Sequence, residues 1–136
     1  HHLFKCSHDS RKAWKRKFLE AIETKMKDLQ VCPIIRDLFL TGIRGYFQEP
    51  AFIIPKAEYP SNFQKAISHQ NHVGWNNFLA GKFSVHWGFR QTEYWEQHGI
   101  KPKKQQLHWQ VTLIKFMWAM IHDMWKTRCG MNYRRC

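Results

Sequence analysis

The stretch from Lys104 to Arg128 constrains the rest of this chain most strongly. Leu107, Val111, Ile114, Trp118, Ile121 and Trp125 recur at alternating spacings of four and three, the apolar period of a helix. A second set, Leu113, Met117, Met120 and Met124, lies beside the first and widens the apolar face. A face that wide belongs to a buried central helix, about 37 Å long at 1.5 Å per residue. Lys101, Lys103 and Lys104 lead into it, and Lys126, Arg128, Arg134 and Arg135 follow. The expectation is a helix with a buried middle and basic, exposed ends.

The other apolar periods are helical too. After Asp9 or Ser10, the expected N-cap, Trp14, Phe18, Ile22, Met26 and Leu29 mark the first helix. Val31-Cys32-Pro33 breaks it, and Pro33 suits the first turn of a second helix built on Ile34, Ile35, Leu38, Phe39 and Ile43. Gly42 and Gly45 weaken its end. Tyr46 to Pro60, with three prolines, reads as a loop anchored by Phe52-Ile53-Ile54. Ser61 and Gln64 have capping-box spacing for a third helix to about Val73. A glycine-bracketed turn or short helix follows, from Gly74 to Phe83. Ser84 caps a fourth helix that stops near Gly99, and Gly130 is a natural stop for the last. With no convincing strand pattern, the fold class is all-α: five to six helices packed around a long C-terminal helix, about 104–128. The divisions are residues 1–8, a single helical domain at 9–130, and a basic tail at 131–136.

Charge narrows the partners. The 136 residues include 22 Lys and Arg against ten Asp and Glu, a formal net charge of +12. Such a balance favours an acidic partner, nucleic acid first and an anionic membrane surface second. Hydrophobic residues are 43% of the chain, enough to build a core. The longest apolar run is broken by Lys115 and by His122-Asp123, short of the roughly 20 residues a membrane span needs. The start lacks the charged and apolar regions of a signal peptide, and its first residue, His1, reads as the beginning of a fragment. Four unpaired-looking cysteines, Cys6, Cys32, Cys129 and Cys136, fit an intracellular protein, nuclear or cytoplasmic, with free thiols or a partial metal site.

Four chemistries can be weighed from residue types and spacing. His2-x3-Cys6 has the spacing of half a zinc knuckle, but a structural zinc needs four ligands and no CxxC pair is present. The ten carboxylates form no cluster of the kind a metal-dependent nuclease needs, Glu93 and Glu96 being a surface pair. Cys32 at a helix start is the one nucleophile of note, and it reads as inert. The chain is therefore expected not to be an enzyme. Lys82 to Arg90 interleaves bases and aromatics, but Trp87, Gln91 and Trp95 share a helix face and are assigned to the core. Phosphate contact is assigned to Arg11, Lys12, Lys15, Arg16, Lys101, Lys103 and Lys104, sequence-independent and salt-sensitive. The first four sit at the positive end of a helix dipole, where cations are unfavourable unless something outside repays them.

Three stretches together resemble a known group of sequences. His2-Leu3-Phe4-Lys5-Cys6-Ser7-His8, with Arg11 and Trp14, resembles the end of the zinc-binding segment that follows the reverse transcriptase of non-LTR retrotransposons. Ala66 to Trp87 is similar to a run, A-x3-Q-x2-I-G-W-x2-F-L-x-G-R-x-S-x2-W, of uncharacterised proteins of diatoms and related algae. Trp118 to Cys129 looks like the segment that closes the same proteins, with Cys129 where Asn is usual. The resemblance implies a retroelement polyprotein tail with a reverse transcriptase upstream. It implies zinc at His2 and Cys6 in the full-length protein, where residues 1–8 would be a zinc-knuckle remnant. It also implies a structural signature at Gly74, Trp75, Phe78, Leu79, Gly81 and Trp87. The functional expectation is a non-catalytic, basic domain that associates with RNA or DNA. The alternative is a protein-interaction or self-association module with no nucleic-acid role.

Overall fold

A computed structural model describes residues 9–130 of the chain, with side chains from Ser10 to Lys126. Seven helices follow one another: α1 (Asp9–Asp28), α2 (Pro33–Gln48), α3 (Gln64–Val73), α4 (Trp75–Leu79), α5 (His86–Gln97), α6 (Lys104–Leu107) and α7 (Trp109–Gly130). The fold is all-α, and no strand occurs among the described residues. No helix among them is long and apolar enough to cross a membrane.

α1 and α2 form an antiparallel hairpin. Phe18, Ile22 and Met26, one turn apart, are fully buried, and Phe18 meets Phe47 near the far end of α2 at 6.2 Å. The connection is a left-handed cap at Gln30 (φ 57°), where the N–H of Val31 reaches back to the carbonyl of Met26. Pro33 then opens α2, as expected. α2 runs through Gly42 and Gly45 to Gln48. The two glycines do not weaken its end. They let Trp75 and Phe52 pack against the backbone, where a Cβ would lie 2.4 Å and 2.2 Å from those rings.

Residues 49–63 are a loop with two 3-10 turns, Lys56–Glu58 and Ser61–Phe63. Its anchor is Ile54 rather than the whole Phe52-Ile53-Ile54 run, because Ile53 faces solvent. The amide of Asn71 pairs with both backbone groups of Ile54, accepting its N–H and donating to its carbonyl, each at 2.9 Å. The capping box expected at Ser61 and Gln64 does not form. Ser61 sits in the preceding 3-10 turn, and the Gln64 amide donates instead to the carbonyl of Tyr59. Ser84 is not the N-cap of α5, which is Val85; it sits one residue earlier, where its Oγ accepts the N–H of His86 at 3.1 Å.

The C-terminal helix departs from expectation twice. It is interrupted at His108 (φ −101°, ψ 30°), which separates α6 from α7. Its core face is Trp109 with Leu113, Met117 and Met124 of the second apolar set, which are buried, while Met120 of that set is only partly buried. Of the first set, Ile114 and Ile121 are partly buried against the core, and Leu107, Val111, Trp118 and Trp125 face outward, exposed by 59%, 51%, 50% and 50%. Both sets have helical spacing, so spacing alone cannot choose between them. The aromatic centre of the domain makes the choice. Phe39 of α2 packs edge-on against Phe78 and Trp87 at 4.6 Å and 5.1 Å, and stacks with Trp109 at 6.1 Å. Seating Trp109 there turns Leu113 and Met117 inward. The chain is thus organised around Phe39, and the last helix is one wall of the core.

Buried amides hold the loops to this frame. Gln91 of α5 accepts the N–H of Cys32 at 2.8 Å and donates to the carbonyl of Gln30 at 2.9 Å, clamping the α1–α2 connection. Gln106 of α6 accepts the N–H of Lys103 and donates to the side chain of Gln30 at 3.3 Å. Trp87, Gln91 and Trp95 are all buried, as their shared face predicts.

Candidate nucleic-acid interface

A cleft of about 550 Å³ lies between α1 and α2. Lys12, Lys15 and Arg16 of α1 line it together with Arg44 of α2, over a floor of Leu19, Leu40 and Phe47. Helical spacing explains the arrangement: Lys12, Arg16 and Leu19 share one edge of α1, and Leu40, Arg44 and Phe47 share the facing edge of α2. The Lys15 ammonium sits 5.3 Å from the centre of the Phe47 ring, a cation–π contact that draws its stem over the cleft floor. Glu20 and Glu23 also line the cleft, and Glu23 is engaged with Lys27 at 3.7 Å. A further ion pair joins Arg90 and Glu93. No carboxylate therefore lies within ion-pair distance of Lys12, Arg16 or Arg44 among the described residues.

The seven cations assigned to phosphate contact divide into three groups. Lys12, Lys15 and Arg16 line the cleft. Arg11, on the same helix, is only 7% exposed and turns inward; one position along a helix rotates a side chain by about 100°. Lys101, Lys103 and Lys104 are exposed but sit elsewhere. Gln106 reaches Gln30 at the C-terminal end of α1, so these lysines cluster about 20 Å from Arg16 along that helix. The structure brings Lys12, Lys15 and Arg16 together and holds Lys101, Lys103 and Lys104 apart from them. Arg44 was missed by sequence reasoning. Its signal was its position one helical turn after Leu40 and before Phe47.

A second basic group was also missed. His69 and His86 face each other with ring centres 5.6 Å apart, and His69 Nδ1 is 2.7 Å from Ser84 Oγ. Burial first, then the charges of Lys65, His69 and Arg90, hold His86 below its ordinary value of 6.5. A histidine kept neutral in the fold contributes stability that is complete above its unfolded value. That contribution is lost as pH falls through 6.5 towards the lower folded value. The melting temperature is expected to drop between about pH 7.5 and about pH 5.5. His86→Gln should shrink that drop in a thermal scan, and an undiminished drop would assign it to other histidines.

The remaining chemistries find no support in the geometry. His2 and Cys6 lie outside the described residues, as do Cys136 and the basic tail. No group of three or more His, Cys, Asp or Glu side chains is placed to hold a metal among the described residues. Cys32 is buried beneath Gln91. Glu93 serves Arg90 and the Asn62 amide, an ordinary surface role.

The signature residues of the resemblance are structural. Gly74 and Gly81 take positive φ (101° and 94°) and bracket α4, conformations that side chains disfavour. Trp75, Phe78, Leu79 and Trp87 are core residues. Comparison of the chain with protein-family models, curated proteins and solved structures gave no match.

Proposed function

We propose that this chain is a non-catalytic, basic helical domain of a retroelement-derived polyprotein, and that it holds RNA or DNA by its phosphates at the α1–α2 cleft. The observation that carries this reading is the convergence of Lys12, Arg16 and Arg44 on one cleft, none of them ion-paired with the Glu20 and Glu23 carboxylates that share its lining. A strand entering the cleft brings phosphates to these three cations and offsets the unfavourable placement of cations at the start of α1. Binding releases counterions from the strand, and the apolar floor meets sugar and base faces without reading sequence. The retroelement origin rests on the resemblance of residues 2–14, 66–87 and 118–129 alone. There, the enzyme acting on the nucleic acid lies elsewhere in the polyprotein, and zinc at His2 and Cys6 belongs to the full-length protein.

The test is a salt titration of binding to labelled single-stranded RNA and DNA. Affinity should fall log-linearly with salt. The triple variant Lys12→Ala, Arg16→Ala, Arg44→Ala should flatten that slope by about 2, at roughly 0.7 for each single-strand phosphate no longer neutralised. A matching Lys101, Lys103 and Lys104 variant should change it less. Absence of binding at low salt, or a slope unmoved by the cleft variant, would remove this function.

A further inference from the structure

Among the described residues, no helix packs on the outward face of α7, which forms an apolar seam. Val111, Ile114, Trp118, Ile121 and Trp125 follow one another at three and four, with Leu107 one step ahead on α6. Those spacings are the a and d positions of a heptad, the pattern by which one helix receives another. Val111, Trp118 and Trp125 are about half exposed, and Ile114 and Ile121 between them are partly covered by the core. One side of the seam is walled. A Cβ on Gly81 would meet Trp118 and Ile114 at 2.8 Å and 3.1 Å, and one on Gly88 would meet Gln110 at 3.1 Å. Residues 81–88 therefore run alongside α7, and Val85 of that segment and Phe89 just after it are themselves exposed apolar residues. The other side is open and basic: His108, Lys115 and His122 each follow a d position, and all three face solvent.

We infer that this seam is a docking groove for an acidic amphipathic helix of a partner protein. Charge decides the occupant. From residue 101 to 126 there are five lysines and a single carboxylate, Asp123. A second copy of the chain laid antiparallel on the seam would set Lys115 against its own counterpart and His108 against His122. Area points the same way. A handful of half-exposed side chains offers a few hundred Å², at roughly 150–250 Å² per aromatic ring buried whole. A stable dimer of domains needs about 800 Å² from each partner. One helix with apolar a and d positions and a glutamate flank matches both the size and the charge, as in helix-in-groove recognition.

The probes are two labelled 21-residue synthetic helices with Leu at a and d, one flanked by Glu and the other by Lys. The Glu helix should bind saturably and the Lys helix at least tenfold more weakly. Val111→Asp and Trp125→Asp, at exposed positions that leave the core intact, should abolish binding, and Lys115→Glu should weaken it. Single-strand binding by Val111→Asp should be unchanged, which separates this groove from the α1–α2 cleft. Equal binding of both helices, or of neither, would overturn the inference. So would a doubling of mass in light scattering that Val111→Asp removes, which would give the seam to a second copy. Capture by anionic vesicles that the same variant abolishes would give it to a membrane surface.

Discussion

Gln70→Leu is expected to destabilise the domain by about 3–5 kcal/mol, because it leaves two buried donors without acceptors at roughly 1–3 kcal/mol each and removes a third bond. The Gln70 Oε1 accepts the backbone N–H of Ser84 at 2.8 Å and the indole N–H of Trp87 at 2.9 Å, while its Nε2 donates to the carbonyl of Lys82 at 3.1 Å. Gln70, Ser84 and Trp87 are all buried, so the site is closed to solvent. Leucine fills the space but cannot accept either donor. For a chain of this size the melting temperature should fall by on the order of 10 °C or more. Thermal and urea unfolding of Gln70→Leu test the assignment directly. A melting temperature within about 2 °C of wild type would show that these bonds do not hold residues 82–87 to α3.

Gly42→Val is the second large effect, at about 3 kcal/mol in urea unfolding. In an exposed helix, replacing glycine gains up to about 1 kcal/mol of helix propensity. Here the new Cβ clashes with the six-membered ring of Trp75, 2.4 Å from its nearest atoms. Trp75 cannot retreat. It packs on Phe78 at 4.9 Å, and its indole N–H donates to Asn71, the amide that holds Ile54. Displacing the ring therefore loosens α4 and the 49–60 loop together. Gly88→Ala is the contrast. Its Cβ meets only the end of the Gln110 amide, which can move aside, so that change should be neutral or stabilising. If Gly42→Val proved neutral, the close approach of α2 to α4 would not exist in solution.

The extent to which the fold could be read ahead differs by element. Helices α1, α2, α3 and α5 were legible because each has one apolar stripe, a proline or glycine at its end, and a polar remainder. Pro33 starts a helix and Gly99 stops one by local sterics, which neighbours do not alter. The Ser61 box failed because the carbonyl of Tyr59 competes for the Gln64 amide, a contact set by how the proline loop folds back. The candidate interface was half legible. Lys12, Lys15 and Arg16 announce themselves as a cluster along the sequence. Arg44 joins them from 28 positions away only when α2 lies antiparallel to α1. Arg11 leaves them because the same helix turns it inward.

The seam on α7 shows where local pattern ends. By itself the sequence determined that this region is helical, that it carries two apolar stripes, and that lysines gather at its ends, since period and composition are properties of the chain alone. Only the tertiary structure decided which stripe is core. The α1–α2 hairpin and the ring of Phe39 admit one face of α7, and that face is the Trp109, Leu113, Met117 and Met124 set. The more heptad-like stripe is left to solvent beside its basic flank, because a core is chosen by the shape that neighbouring helices offer and not by hydrophobicity along one stretch of sequence.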